Sequence, residues 1–202
     1  VLLQQAMMVY LDDNYETLWP LKDKIKFIFT RKHFSRMVCH TDFITVQSPS
    51  MASRLHKLYG VKKNKIRIIP SALPVEIENS DNINGTNTIM MKSNKPNRLF
   101  FLSAGYPHKN HVILPAVAEE LNKRNLTKEI HIFLTLNPCD KFNRSILKMI
   151  EPYANCITNL GHLEKNHIPA AFNSATALFM PTLVESFGLI YLEAMRYNCP
   201  IL

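Results

Sequence analysis

Residues 98–124 read RLFFLSAGYPHKNHVILPAVAEELNKR, and this stretch decides the fold. The apolar run at residues 99–103 is typical of a buried strand, and Gly105 leads from it to a helix predicted at residues 112–124. A strand followed by an amphipathic helix is the βα unit of a parallel α/β sheet. Pro115 removes a backbone hydrogen bond inside this helix, so we expect a kink or a late helix start there.

The same alternation recurs three times towards the carboxyl terminus. The predicted strands are at residues 130–136, 156–158 and 177–180, and the helices that follow them are at residues 143–153, 167–173 and 187–197. Four βα units in a row predict a doubly wound sheet, in which ligands lie at the carboxyl ends of the strands. The functional residues are therefore expected in the loops after those strands. Residues 199–202 look like the opening of one more buried strand.

A shorter α/β pattern precedes this region. Residues 42–47 and 65–70 are rich in β-branched residues and are predicted to be strands. Between them, Ser48 is a favourable N-cap for a helix that has Pro49 at its first position and ends at Gly60. A strand, a helix and a strand in so few residues indicate a parallel sheet here as well.

A polar, irregular stretch separates the two patterns. It contains Asn79-Ser80-Asp81-Asn82 and Asn84-Gly85-Thr86, a composition that is typical of a linker or a long loop. The predicted organisation is therefore a first domain at residues 1–74, a linker at residues 75–97 and a second domain at residues 98–202.

Residues 21–34 form a basic and aromatic stretch without glycine or proline, which favours a helix. Its apolar positions make a broad face. The cations in and just after this stretch are Lys22, Lys24, Lys26, Arg31, Lys32 and Arg36. Two interpretations stay open: a half-buried helix with a solvated basic side, or a helix that lies on an anionic membrane surface.

The composition is that of an ordinary globular protein, with 47% hydrophobic and 20% charged residues in a chain of 202. It excludes the fibrous and intrinsically disordered classes. The formal net charge of +8 favours an anionic partner, which is a nucleotide phosphate, an acidic membrane surface or nucleic acid. Because the sequence has no recognisable nucleic-acid-binding motif, nucleic acid is not an expected partner.

Cysteine spacing and the chain ends bear on the class of protein. The four cysteines are far apart, with no C-x-x-C pair and no histidine at metal-ligand spacing, so neither a metal site nor a disulfide framework is expected. No apolar run reaches the roughly 18 to 20 residues that cross a bilayer. The first residues lack an initiating Met and a secretory signal, and we expect a fragment of a longer protein, cut at both ends.

The segment after the last predicted strand carries the most chemistry. Glu185 follows that strand, and residues 186–189, SFGL, are predicted to open the next helix, where backbone N–H groups and the helix dipole attract phosphate. Gly188 has no side chain to hold a ligand away. Glu193 is a lone acid in an apolar run and can accept hydrogen bonds from two neighbouring hydroxyls of a ribose or a sugar. The alternative is a surface acid that pairs with Arg196.

This segment resembles the hallmark of the retaining, GT-B-fold glycosyltransferases of the group 1 family, in which two glutamates are separated by seven residues that begin with SFGL. Residues 103–110, SAGYPHKN, are similar to the family's glycine loop and its lysine–asparagine element. Residues 159–163, NLGHL, look like the family's loop beside the nucleotide base. Residues 42–48 and 65–73 resemble the end of its acceptor domain, with PSAL where the family has P-N-G-V. The resemblance covers nearly the whole chain from about residue 42.

The resemblance implies a role for each matching residue. Lys109 and Glu185 would be catalytic: Lys109 neutralises the diphosphate as the glycosyl bond breaks, and Glu185 contacts the sugar. Glu193 would bind the ribose, and the amides of residues 187–189 would bind the diphosphate and the sugar hydroxyls. Residues 160–162 would border the base. The implied donor site consists of Gly105, Lys109, Leu160, Gly161, Glu185, Ser186, Phe187, Gly188, Leu189 and Glu193.

One position departs from the family's pattern. Many members have an arginine directly after the loop glycine, and this chain has Tyr106. Either Lys109 works with another cation, for which His108 is a candidate, or the clamp on the leaving group is weaker.

The resemblance implies a GT-B-like α/β fold, in which an incomplete Rossmann-type donor domain follows the end of a Rossmann-like acceptor domain. The implied activity is retaining glycosyl transfer, without metal or cofactor, from a nucleotide-diphosphate sugar to a hydroxyl of a glycan or lipid-linked acceptor. We expect the full protein to act in polysaccharide or lipopolysaccharide synthesis in the cytoplasm, at the inner membrane face, and the fragment alone to be inactive. The alternatives are a nucleotide-sugar epimerase of the same fold and a non-catalytic sugar-nucleotide-binding fragment.

Overall fold

The computed structural model describes residues 1–10, 21–38, 40–73 and 91–202. Most of the predicted linker at residues 75–97 lies outside the described residues, as does Cys39. The chain divides into two units. The first comprises Val1–Ala72 and Leu183–Leu189, and the second comprises Leu73–Thr182 and Ile190–Leu202.

Among the described residues, the first unit contains a three-stranded parallel sheet in the order β1-β2-β3. Its elements are β1 (Leu2–Leu3), α1 (Leu21–Val38), β2 (Ile44–Val46), α2 (Pro49–Tyr59) and β3 (Ile66–Ile68). The two predicted strands and the helix between them are confirmed, although both strands are shorter than predicted. Sequence periodicity does not find β1, because two residues are too few to show a period.

Both ends of α2 follow from local sequence. The Ser48 hydroxyl accepts a hydrogen bond from the Met51 N–H at 3.3 Å, and Gly60 ends the helix in a left-handed conformation with φ 66°. The predicted cap and stop are therefore confirmed. Met51 and Leu55 on this helix are fully buried in one cluster with Ile44 and the rest of the first unit's core.

The predicted basic helix is confirmed as α1, and it buries only part of its apolar surface. Phe27 and Val38 are buried in the core of the first unit, and the ring of Phe34 packs edge-on against Tyr59 at 5.1 Å. The apolar side chains that stay exposed on this helix are Leu21, Ile25, Ile28, Phe29 and Met37. None of the helices in the described part of the chain is both long and apolar enough to cross a membrane.

The described part of the second unit contains a four-stranded parallel sheet in the order β6-β5-β4-β7. The elements are β4 (Asn97–Phe101), α3 (Leu114–Lys123), β5 (Ile130–Leu134), α4 (Lys141–Ile150), β6 (Ile157–Asn159), α5 (Ile168–Ser174), β7 (Ala177–Leu178) and α6 (Leu189–Arg196). The four predicted βα units are thus confirmed. Pro115 lies in the first turn of α3, where no intrahelical partner is lost, so the expected late helix start is confirmed too.

Strand β4 is the centre of this sheet. Phe101 pairs with Leu134 of β5 on one side, and Phe100 pairs with Leu178 of β7 on the other. The side chains of all four residues are fully buried in one apolar cluster. A strand that is buried on both faces and paired on both edges fixes where its carboxyl end lies.

One predicted element begins later in the structure. The last helix begins at Leu189 rather than Phe187, because Gly188 has φ 73°, a left-handed value that a right-handed helix does not contain. The predicted strand opening at residues 199–202 pairs in parallel with β7. The Leu178 N–H donates to the Pro200 carbonyl at 2.7 Å, and the Leu202 N–H donates to the Leu178 carbonyl at 2.9 Å. Ile201 and Leu202 themselves are exposed.

His131 on β5 is a buried histidine with polar partners. It is 8% exposed, and its ring stacks on Phe133 with 4.5 Å between the centroids. Its ring nitrogens lie 2.8 Å from the Thr158 hydroxyl and 3.3 Å from the Ser93 hydroxyl. Burial, followed by the charge of Lys95, lowers the pKa of His131 from 6.5 to about 4.

We expect acid to destabilise the second unit through His131. Because the unfolded imidazole binds its proton near pH 6.5 and the folded one near pH 4, stability is lost as the pH falls through this range. At about 1.4 kcal/mol per pKa unit, the loss reaches at most about 3 kcal/mol. His131→Gln should reduce the fall in unfolding free energy between about pH 7 and pH 4.5, measured by urea denaturation of the full-length protein.

The exposed His162 provides the matched control. His162→Gln should leave the pH dependence of the urea midpoint unchanged. If His131→Gln also leaves it unchanged, burial of His131 does not contribute to acid sensitivity.

Candidate functional site

The strand order creates a switch point between β4 and β7. From β4 the chain proceeds through β5 to β6 on one side, and it then returns to the other side of β4 to form β7. In doubly wound sheets the crevice outside the carboxyl ends of two such strands is the place where ligands bind. The candidate site is therefore built on residues 102–110 after β4, which we name the glycine loop, and on the residues that follow β7.

Two side-chain hydrogen bonds join these loops, and both flank Lys109. The Asn110 amide Nδ2 donates to the Pro181 carbonyl at 3.1 Å. The Thr182 hydroxyl donates to the His108 carbonyl at 3.1 Å. Lys109 is half-buried between the two bonded residues, so the structure holds its backbone beside the loop after β7.

The floor of the glycine loop is His111, which is 2% exposed. Its ring stacks on Phe101 with 4.2 Å between centroids, and its Nε2 lies 3.3 Å from the Ser103 hydroxyl. Burial, followed by the charge of Lys109, lowers the pKa of His111 to about 4, so the imidazole is neutral at neutral pH. Within the described part of the chain, its Nδ1 is a buried atom with no hydrogen-bond partner.

Gly105 lies against the side chain of Asn143 in the first turn of α4. A Cβ atom at position 105 would come 1.5 Å from the Asn143 Oδ1, so any side chain there requires Asn143 or the loop to shift. Asn143 is 4% exposed, and its Nδ2 donates to the Asn137 carbonyl at 3.0 Å. Among the described residues its Oδ1 finds no hydrogen-bond partner.

The predicted base-side residues Leu160 and Gly161 directly follow β6, at the same edge of the sheet as the glycine loop. The Leu160 N–H donates to the Leu134 carbonyl at 2.8 Å. The side chain of Asn159 both accepts from the Leu136 N–H and donates to the Leu136 carbonyl, at 2.8 and 2.9 Å. These bonds join the carboxyl ends of β6 and β5 and the first residues that follow each strand.

The segment that carries Glu185 belongs to the first unit, which contains Leu183–Leu189. Glu185, Ser186 and Phe187 are half-buried, and Gly188 is buried in its left-handed conformation. Because α6 begins at Leu189, the amides of Phe187 and Gly188 belong to the turn before the helix rather than to its first turn. The expectation that the SFGL residues themselves open the helix is corrected to this extent.

Glu193 lies in the second turn of α6 and is half-buried. Burial raises the pKa of its carboxyl. In the described part of the second unit, Glu120 on α3 forms ion pairs with Lys123 and Arg124. Glu193 is half-buried rather than fully exposed, and its pairing with Arg196 stays a prediction.

Tyr106 occupies the position where many relatives have arginine. Its side chain is exposed, and its ring lies parallel to that of His108 with 5.7 Å between the centroids. The structure thus brings the two residues that sequence analysis linked to the missing arginine into one stack next to Lys109.

Sequence analysis missed three contributions to this site. Asn143 carries a weak signal, because it is a polar residue on the face of the amphipathic helix that also carries Ile146 and Ile150. Its contact with Gly105, however, joins residues 38 positions apart. The bonds of Asn110 and Thr182 join residues more than 70 positions apart along the chain. Such contacts depend on the strand order, which a local pattern does not contain.

The chain is similar to known proteins in sequence and in fold. Residues 89–202 match the family described as Glycosyl transferases group 1. The chain is 25% identical over 182 residues to the O-antigen chain mannosyltransferase RfbU of Salmonella typhimurium, a match that covers 89% of this chain and 46% of that protein. Its structure is similar to sucrose-phosphate synthase from Thermosynechococcus elongatus, with a TM-score of 0.69, 17% identity, and coverage of 99% of this chain and 48% of the other.

A second similar structure is a mutant of S. aureus TarM in complex with fondaparinux, alpha-GlcNAc-glycerol and UDP. Its TM-score is 0.65 at 17% identity, and the match covers 99% of this chain and 35% of that one. The chain therefore has the GT-B fold of glycosyltransferases, and the expected fold class is confirmed. It spans less than half the length of the curated relative and of both solved structures.

Asn110 allows the bond between the two loops to be measured. Asn110 has a φ of 61°, and the exposed Asn125 has a nearly identical φ of 60°. Both should lose stability as alanine because of left-handed strain, but only Asn110→Ala also loses the bond to Pro181. We expect Asn110→Ala to lower the unfolding free energy by about 1 kcal/mol more than Asn125→Ala, in urea denaturation of the full-length protein. Equal losses would show that the bond does not stabilise the glycine loop.

Proposed function

The chain belongs to the glycosyl transferases group 1 family, and on this basis we propose that the full-length protein is a retaining glycosyltransferase. It transfers a sugar from a nucleotide-diphosphate donor to a hydroxyl of a glycan or lipid-linked acceptor in cell-surface glycan synthesis. The similarity to an O-antigen mannosyltransferase supports the acceptor class, and the UDP in the similar TarM structure supports the donor class.

The observation that carries the proposal is the position of Lys109 at the switch point. Both of its neighbours along the chain are hydrogen-bonded to the residues that follow β7. Those residues lead directly into the Glu185 segment. These bonds hold the backbone that carries this cation beside the crevice where this class of sheet binds nucleotides, which supports the role we propose for it.

The chemistry proposed for Lys109 is electrostatic. When the bond between the sugar and the diphosphate breaks, positive charge develops on an oxocarbenium-like sugar and negative charge on the departing diphosphate. A cation that is already in place stabilises this charge without reorganising. Because His111 is neutral, the positive charge beside the floor of the loop comes from Lys109 rather than from the imidazole.

The acids have different proposed roles. Glu193, half-buried in the second turn of α6, accepts hydrogen bonds from the ribose hydroxyls. Glu185 contacts the transferred sugar, and Leu160 and Gly161 border the base. The backbone from Ser186 to Leu189 binds the diphosphate and sugar hydroxyls, with no metal or cofactor required.

Two substitutions in the full-length enzyme should separate catalysis from binding. Lys109→Ala should lower kcat about 100-fold and raise the donor Kd less than about 5-fold, because its interaction strengthens in the transition state. Glu193→Ala should raise the donor Kd about 10- to 100-fold for every sugar, because the ribose is common to all donors. Calorimetry gives the Kd, and release of the nucleotide diphosphate with an acceptor present gives kcat.

The exposed Lys128 supplies a matched control, since Lys128→Ala removes a charge at a distance from the glycine loop in sequence. Turnover of the donor to an epimer without transfer would replace the transferase by the epimerase. Donor binding with no turnover in the wild-type protein would indicate a non-catalytic sugar-nucleotide-binding protein.

We also propose that the full-length protein works in the cytoplasm, docked on an anionic inner membrane surface through α1. Phe27 is buried and Phe34 packs on Tyr59, so these two rings are not available to lipid. Phe29, by contrast, is 68% exposed, and Ile28 beside it is exposed as well. The exposed cations of the same helix are Lys22, Lys26, Lys32 and Arg36. Exposed apolar side chains among cations are the combination that interfacial helices use.

The membrane proposal predicts salt-sensitive binding to acidic vesicles. Each cation near an anionic surface contributes about 1 kcal/mol, so replacing Lys22, Lys26, Lys32 and Arg36 by glutamine should abolish co-sedimentation of the full-length protein with phosphatidylglycerol vesicles. Glutamine at the exposed lysines 92, 128, 141 and 148 changes the net charge equally and should preserve binding. Unaltered binding after the α1 substitutions would leave α1 as a solvated basic surface.

A further inference from the structure

The reason for glycine at position 105 is spatial rather than conformational. The glycines with positive φ are Gly60, Gly161 and Gly188 among the described residues, and Gly105 is not one of them. Other residues can therefore adopt its φ. What excludes them is the Asn143 amide, whose Oδ1, Cγ and Nδ2 would lie 1.5, 2.6 and 3.3 Å from an added Cβ.

Asn143 cannot easily turn away from Gly105. Its side chain is 4% exposed, and its Nδ2 donates to the Asn137 carbonyl. Its backbone N–H donates to the carboxylate of Asp140, the N-cap of α4, at 3.3 Å. Rotating the amide away from Gly105 would break its hydrogen bond to Asn137, so the Asn143 side chain is conformationally restrained.

The glycine loop is therefore held from two sides. Near its start, Gly105 abuts Asn143 from α4, and at its end His108 and Asn110 are bonded to the residues after β7. Lys109 lies on the bonded side, four residues after Gly105. With the Asn143 contact removed, the first half of the loop loses the wall beside Gly105 and keeps the bonds of Ser103 to Thr135 and His111, while the second half keeps its bonds to the residues after β7.

We propose that Asn143 is a positioning residue for the nucleotide-sugar donor site, because its amide packs against Gly105 and sets the path of the glycine loop that carries Lys109. The proposal rests on the proposed function, since it assumes that the glycine loop takes part in binding and turnover of the donor. It also makes a claim of its own: position 105 must be glycine because of Asn143, and not because a ligand needs to approach the backbone there.

A double-substitution cycle in the full-length enzyme tests that claim. Gly105→Ala should lower the melting temperature and weaken UDP-sugar or GDP-sugar binding at least about 10-fold, because the new methyl group overlaps the Asn143 amide. In the Asn143→Ala background the same methyl group has room. Gly105→Ala should then cost less than about 3-fold in donor affinity, and the melting temperature should not fall further.

Asn143→Leu is the volume-matched control because it keeps the bulk that causes the overlap and introduces no buried charge. Gly105→Ala should remain severe in that background, whereas exposed Asn122→Ala should change nothing. If Gly105→Ala is equally damaging with and without the Asn143 side chain, or harmless in the wild type, the proposal is overturned.

A second cycle covers the case in which Gly105→Ala does not fold. Because we propose that Asn143 acts through the loop that carries Lys109, Asn143→Ala and Lys109→Ala should be less than additive in kcat, and Asn143→Ala should change kcat more than donor Kd. Additive losses would overturn the positioning role. If Lys109→Ala alone leaves kcat unchanged, the proposed function of Lys109 fails, while the Gly105–Asn143 coupling in melting temperature still stands or falls by itself.

Discussion

The pairing of β4 on both of its edges is the constraint on which the second unit depends. With β5 on one side and β7 on the other, β4 cannot shift its register by one residue without moving the fully buried Phe100 and Phe101 out of their packing and onto opposite faces of the sheet. All the strands are parallel, so the loops after them lie at one edge. The central strand's own loop then has neighbours on both sides. Its contacts with Asn143 and with Pro181 and Thr182 follow from that central place.

This edge of the sheet is also where the second unit leaves polar atoms unsatisfied. In the described chain, His111 Nδ1 and Asn143 Oδ1 are buried without hydrogen-bond partners, and each such atom costs about 1 to 3 kcal/mol. The fully buried side chains of β4 and β5 offset that cost. Buried polar atoms without hydrogen-bond partners lower the stability of the fold, and they are expected where a loop must keep one conformation to bind a ligand. The neutral His111 fits this interpretation, because a second charge under Lys109 would repel it.

Much of the fold could be predicted from the sequence, because its signals are local. The βα alternation, the Ser48 cap and the late start at Pro115 each depend on a few adjacent residues, and the structure confirms them. The start of α6 was predicted two residues early, since a left-handed Gly188 leaves the apolar pattern unchanged. Contacts that depend on the order of the strands in the sheet leave no signal in the local sequence. Sequence motifs therefore select Lys109 and Gly105 but do not reveal Asn143 or Thr182, which hold their loop.

The two motif glycines illustrate why a motif alone does not explain its residues. Resemblance to a nucleotide-binding family suggests one reason for both, which is close approach of the backbone to phosphate. Gly188 has a φ of 73°, so a side chain there is strained whatever surrounds it. Gly105 lacks that conformation and is restricted by one neighbouring amide. A second substitution can remove a steric restriction by a neighbouring side chain, but it cannot remove the strain of a left-handed backbone conformation. On our proposal, position 105 can change together with position 143, whereas a side chain at position 188 is strained whatever changes around it.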